Sequence, residues 1–93
     1  MTPGFTVRTT PHYERFFRSL QKQHPELRND LRAILPTDPY NRSGHHPIKK
    51  LMDVERGEGQ YRLRLRRFRF RYDIYGNAVV LQSCGLRRED TYR

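Results

Sequence analysis

Between Tyr61 and Tyr75 the chain reads YRLRLRRFRFRYDIY, with apolar and charged residues alternating almost without a break. A period of two is that of a half-buried β-strand. Tyr61, Leu63 and Leu65 share one face, and Arg62, Arg64 and Arg66 the other. The alternation resumes after Arg67, with Phe68, Phe70, Tyr72 and Ile74 on one face and Arg69, Arg71 and Asp73 on the other. A turn back at Arg66-Arg67 sets Leu65 opposite Phe68, Leu63 opposite Phe70 and Tyr61 opposite Tyr72. That register buries all these apolar residues on one side. It also sets Arg64 opposite Arg69 and Arg62 opposite Arg71. Like charges directly opposite in a ladder repel, and what offsets the repulsion is the use of a concentrated positive surface. Its natural partner is a polyanion, so the ribbon reads as an RNA-binding surface.

The overall balance agrees. Lys and Arg number 19 against 10 Asp and Glu, a formal net charge of +9, and 16 of the 19 are Arg. Guanidinium suits planar, bidentate contact with phosphates and bases. The basic residues lie on a strand pattern, which argues against an amphipathic helix on a membrane surface. The 93 residues, 34% of them hydrophobic, suffice for one small domain spanning residues 1–93 with a single modest core. The lone cysteine, Cys84, cannot form an internal disulfide and reads as a buried structural thiol. No stretch approaches transmembrane length, and the N-terminus lacks the apolar core of a signal peptide, so a cytoplasmic location is expected.

Phe5–Thr9 is a β-prone run and a plausible first strand, with an edge that invites pairing by a partner. Thr10-Pro11 is a helix start, with Thr10 as N-cap and Pro11 at the first helical position. Tyr13, Phe16, Phe17 and Leu20 then recur at helical spacing as a core stripe. His24-Pro25 separates this helix from a second, whose buried face is Leu27, Leu31, Ile34 and Leu35 and which stops at Leu35-Pro36. Two helices so closely joined form an antiparallel hairpin over the sheet. Thr37–His46 is loop, and Ile48–Val54 is either an extended segment or a short turn. Gly57-Glu58-Gly59 is a flexible turn. Gly76-Asn77 is a hairpin turn that pairs Val79 with Ile74 and Leu81 with Tyr72. The apolar run Ala78–Cys84 suggests a central strand, with a bulge expected at Gly85.

Chemical motifs are sparse. His45 and His46 are adjacent and lack a ligand partner at metal spacing, so no metal or other cofactor is expected. There is no phosphate-binding glycine loop and no nucleophile elbow. What remains is an arginine cluster with tyrosines at its edges. Cleavage of RNA through its 2′-hydroxyl needs a base, an acid for the 5′-oxygen and positive charge at the phosphorane, and arginines supply the last. A tyrosine, lysine or arginine in so cationic a site is a candidate for a lowered pKa, and aromatic rings can stack an unpaired base.

Three stretches together resemble the RelE/ParE superfamily of bacterial type II toxins, and among them the RelE-like mRNA interferases. They are Asp38-Pro39-Tyr40-Asn41 followed by Ile48-Lys49-Lys50-Leu51; Tyr61-Arg62-Leu63-Arg64 with Phe68-Arg69-Phe70-Arg71-Tyr72; and Gly85-Leu86-Arg87-Arg88-Glu89-Asp90-Thr91-Tyr92-Arg93. The resemblance implies an α+β fold: an N-terminal strand, a two-helix hairpin, then an antiparallel β-meander with the helices packed on one face. It implies a toxin that enters the ribosomal A site, cuts mRNA there without a metal, and is neutralised by a cognate antitoxin. By the resemblance Arg69 and Arg87 are the phosphate-stabilising arginines. Tyr92 stacks on the scissile nucleotide or acts as base, and Arg62 and Arg64 hold the backbone or assist proton transfer. Lys49, Lys50, Arg66, Arg67, Arg71 and Arg88 then bind messenger and ribosomal RNA. ParE-like members share the fold, inhibit DNA gyrase and lack this arginine and tyrosine set, which favours the ribonuclease branch. Two readings stand beside it: a ParE-like gyrase inhibitor without nuclease activity, and a non-catalytic RNA-binding module.

Overall fold

The computed structural model describes residues 4–86, so the site candidates Arg87, Arg88 and Tyr92 lie outside the described residues. Strand β1 (Thr6–Thr9) leads into helix α1 (Pro11–Gln23), and Thr10 caps it as expected: its Oγ1 accepts from Tyr13 N at 3.1 Å. That bond satisfies one of the orphan amides of the first turn, and Pro11 contributes none. Helix α2 (Glu26–Ile34) follows at once. At its end Thr37 Oγ1 donates to Ala33 O (3.2 Å), Asp38 N donates to Ile34 O (2.8 Å), and Pro36 prevents continuation.

The remaining strands are β2 (Ile48–Lys50), β3 (Tyr61–Leu65), β4 (Phe68–Tyr75) and β5 (Ala78–Leu86), in the sheet order β1-β5-β4-β3-β2. The α+β class and the meander are as expected. β1 adds to the outer edge of β5 in parallel, Thr6–Thr9 against Ala78–Leu81, and β5 is an interior strand with β4 at the centre. Of the segment Ile48–Val54 only Ile48–Lys50 is strand, paired antiparallel with Leu63, Arg62 and Tyr61.

The register of β3 and β4 is the one that apolar burial demands: Leu65 with Phe68, Leu63 with Phe70 and Tyr61 with Tyr72. β5 continues it, Val79 with Ile74 and Leu81 with Tyr72. The bulge is not at Gly85. Tyr72 pairs with Leu81 but Arg71 with Ser83, so Gln82 is the extra residue. Its backbone carbonyl accepts from Thr10 Oγ1 (3.3 Å) and its side-chain Nε2 donates to Asp73 Oδ2 (3.0 Å). The local break in pairing thus serves both the start of α1 and a buried acid. Past the bulge, side-chain parity flips: Cys84 falls opposite Phe70, and Gly85 opposite Arg69.

One cluster holds the fold together: Tyr13, Phe17, Leu27, Leu31, Ile34 and Leu35 from the helices against Leu63, Phe68, Phe70, Tyr72, Ile74, Val79 and Leu81 from the sheet. Tyr13 stacks on Phe17 at 5.2 Å, and both rings meet Phe70 at 6.5 and 6.3 Å. Full burial of an aliphatic or aromatic side chain stabilises by about 2 kcal/mol. Phe16, expected in the core stripe, is instead 47% exposed beside His12. Tyr13 and Phe17 already fill the surface that α1 turns toward the sheet. Leu20 is only half-buried. Cys84 packs against this core, its thiol 4.0 Å from Tyr13 O, and burial, with Glu14 nearby, pushes its pKa up to about 12. That is the behaviour of a structural thiol, not a nucleophile. Among the described residues, no helix is long and apolar enough to cross a membrane.

Candidate nucleic-acid interface

Arg62 faces Arg71, and Arg64 faces Arg69, across β3 and β4. Lys49 extends the row from β2 by pairing with Arg62. All five lie on the sheet face opposite Phe70, and the helices pack on Phe70's side. Lys50 has the other parity: it pairs with Tyr61, and its ammonium sits 5.8 Å from that ring's centre. It is therefore on the other side of the sheet from Lys49 and the arginines.

The segment between β2 and β3 partly covers this face. Asp73, on the arginine side of β4, is fully buried there. Its carboxyl oxygens accept from Gly57 N (2.9 Å), Gly59 N (3.0 Å), Gln60 N (2.8 Å) and Gln82 Nε2 (3.0 Å). Such a buried group is tolerated because every donor around it gains an acceptor. Arg71 clamps the same loop: its Nε and Nη2 donate to Gly59 O at 3.1 and 3.0 Å. Gly59 has φ +90°, and a Cβ there would stand 2.7 Å from the Cβ of Arg71, so only glycine lets the loop lie this close. The Gly57–Gly59 turn, read as flexible, is in fact tied down.

The loop covers the Asp73 end of the face and leaves the other end as a groove of about 390 Å³, lined by Lys49, Leu51, Met52, Val54, Arg62, Arg69 and Arg71. The strands supply cations and the loop supplies an apolar wall. Arg62 Nε is buried in this wall of charge with no hydrogen-bond partner among the described residues.

No protein-family model matches the chain, and no curated protein does. A solved structure does. Over 92% of this chain and 98% of its own, a chain in the crystal structure of the archaeal RelE-RelB complex from Pyrococcus horikoshii OT3 superposes with a TM-score of 0.71 at 20% sequence identity. The fold is RelE-like. At that identity the likeness carries the architecture, and the site must be argued from this chain's own residues.

On this RelE-like frame the expected site residues divide. Arg62, Arg69 and Arg71 share the groove with Lys49, while Arg64 adjoins it across from Arg69. Arg66 and Arg67 form the tip of the hairpin. Arg66 has φ 58°, and its Nε lies 3.4 Å from Glu26 Oε2, which also approaches His24 Nδ1 at 3.5 Å. The tip is thus drawn toward the helix junction and away from the groove. Tyr61 and Tyr72 belong to the opposite face, whereas Tyr75 has the parity of the arginines, is exposed, and has the Arg56 guanidinium 5.3 Å from its ring centre. Tyr61 stacks on Tyr72 at 5.5 Å, and Tyr72 OH donates to Pro39 O at 2.7 Å. Burial raises both phenols, with neighbouring Tyr40 adding to the shift of Tyr61 and Tyr61 to that of Tyr72. Neither fits the expectation of a lowered pKa in a cationic site, and neither is a candidate base.

Asp38–His46 is loop as expected, but internally braced. Asp38 accepts from Arg42 N (2.8 Å) and Ser43 Oγ (2.6 Å), and Asn41 exchanges two bonds with the backbone of His46. His46 Nε2 lies 3.7 Å from Asp38 Oδ2. Among the described residues no three His, Cys, Asp or Glu side chains gather as metal ligands do. The residues that sequence reasoning missed are Asp73 as the anchor of the loop, and Leu51, Met52 and Val54 as the wall. An aspartate breaking a run of arginines was the available clue to the first; an apolar pair after two lysines was the clue to the second.

Proposed function

We propose that this protein is the toxin of a type II toxin-antitoxin system, an endoribonuclease that cuts mRNA in the ribosomal A site. The observation that carries the reading is the gathering of Lys49, Arg62, Arg69 and Arg71 in one groove on the sheet face away from the helices, on the fold of a chain crystallised as part of a RelE-RelB complex. The reaction is attack of a ribose 2′-oxygen on the adjacent phosphorus with departure of the 5′-oxygen. It concentrates charge on the phosphorane oxygens, and fixed guanidinium groups stabilise that charge. Arg69, with Arg62 and Arg64 beside it, takes this role. A guanidinium has donors and no acceptor lone pair, so these arginines hold charge while the proton leaves to another group. Arg87 completes the phosphate contacts, and Tyr92 orients the nucleotide or takes the proton. Lys49 and the exposed Arg67 add sequence-independent attraction to RNA. An antitoxin silences the protein by covering the cationic groove, and the site of action is the cytoplasm, where translating ribosomes are.

Primer extension on mRNA held in programmed ribosomes tests this. Wild type is expected to cut within the A-site codon, and Arg69→Ala and Arg87→Ala to cut at least about 100-fold more slowly while remaining folded. Uncut mRNA with folded wild-type protein would remove the nuclease reading, and inhibition of gyrase supercoiling would then replace it.

A further inference from the structure

The groove has two chemistries, and cleavage uses only one. Lys49, Arg62, Arg69 and Arg71 attract phosphate; Leu51, Met52 and Val54 do not. Met52 is 82% exposed, the most exposed of the large apolar side chains among the described residues. An apolar side chain held out beside a row of guanidinium groups invites a ligand that is anionic at one end and flat and apolar at the other.

The wall is also built to stay in place. Leu51 N donates to Gln60 O at 2.7 Å, and Gln60 Nε2 donates to Val54 O at 3.0 Å. Gln60 N in turn donates to Asp73 Oδ1 at 2.8 Å. Gln60 therefore pins both ends of the wall segment, and the buried Asp73 pins Gln60. With the backbone of the wall fixed before the ligand arrives, only its side chains lose freedom on binding. At about 390 Å³ the groove lies within the roughly 300–1,000 Å³ of small-ligand sites.

We infer that the groove holds one nucleotide of single-stranded RNA, its phosphate on Lys49, Arg62 and Arg69 and its base against Leu51, Met52 and Val54, which makes Met52 a base-contacting residue. The inference rests on the RNA-directed reading above, and it assigns the part of recognition that the arginines cannot supply. A thioether is polarisable and adapts to different ring shapes, so the wall senses that a base is present more than which base it is.

The test is fluorescence anisotropy with the full-length protein and two uncleavable, fully 2′-O-methylated RNA trinucleotides, one intact and one abasic at the central position. Wild type is expected to bind the intact probe more tightly. Met52→Ser is expected to weaken the intact probe by about fivefold, to leave the abasic probe unchanged, and to be rescued by Met52→Leu. Lys49→Ala is expected to weaken both probes equally. Equal binding of the two probes by wild type, equal weakening of both by Met52→Ser, or no binding of either would each overturn the inference. Base-dependent binding without ribosomal cleavage would leave the wall standing and remove the nuclease reading. Cleavage that ignores both the central base and Met52 would do the reverse.

Discussion

Phe70 and Tyr72 on one side of β4 have no exposed surface, while Arg69 and Arg71, one residue along the same strand, are half-buried among other cations. The apolar side sets the register, because slipping by one residue would exchange the two sets. The basic side then inherits arginines facing arginines, an arrangement its own interactions would not select. The faces of this ribbon are thus separable, with folding carried by one and the proposed RNA contact by the other. Asp73 is the exception: it belongs to the arginine side by parity but is as buried as the core.

The comparison breaks first if the apolar face is damaged. Phe70→Ala is expected to lower stability by about 4 kcal/mol, read by urea denaturation; a loss below about 1 kcal/mol would mean that the ribbon does not depend on this face. Asp73→Asn comes next. It replaces an acceptor serving four donors by an amide with only one acceptor oxygen, and should cost roughly 3 kcal/mol in the same assay. It should also raise hydrogen exchange at Gly57, Gly59 and Gln60, and unchanged exchange there would sink the clamp. Arg64→Thr should act in the opposite direction. Removing one member of a like-charged pair is expected to raise stability by about 0.5 kcal/mol at low salt, with the gain shrinking as salt screens the wild type. A loss at low salt would show that Arg64 is structural.

The smallest effect concerns the braced loop. The Ser43 hydroxyl, more than the amides of Arg42 and Ser43, holds the Asp38 carboxyl below its ordinary 3.8. A depressed carboxyl stabilises the folded form fully above the unfolded value and loses that contribution as pH falls through the folded one. NMR titration of the Arg42 and Ser43 amide signals should therefore show a midpoint below 3.8. A midpoint at or above 3.8 would contradict the assigned bonds.

The elements whose causes are local could be read in the chain itself. Thr10-Pro11 sets α1 because the cap acts within one turn, and the alternation from Tyr61 to Tyr75 sets β3, β4 and their pairing. What escaped reading depends on distant partners. Ile48–Lys50 is a strand only because Tyr61–Leu63 offers an edge. Strand parity put Asp73 beside the arginines, but nothing local could show the Gly57, Gly59 and Gln60 amides that meet it there. Of the proposed site, Arg62, Arg64, Arg69 and Lys49 follow from strand parity. Which side of the sheet Lys50 takes could not be read, because two consecutive lysines look alike until a strand sends them to opposite sides. Phe16 was misplaced because helical spacing gives a stripe but not its width.

The extra residue in β5 has a consequence for how the chain tolerates changes of length. With Gln82 present, Ser83 and Gly85 stand with the arginines and Cys84 with Phe70. Without Gln82, Ser83 would follow Leu81 directly and still face Arg71, with Cys84 still opposite Phe70 and Gly85 opposite Arg69, so every later residue keeps its side. What the shorter strand loses is the carbonyl that accepts from Thr10 and the amide that donates to Asp73. The bulge is therefore a place where the strand can give up a residue without exchanging its faces, and an insertion or deletion elsewhere in β5 has no such outlet.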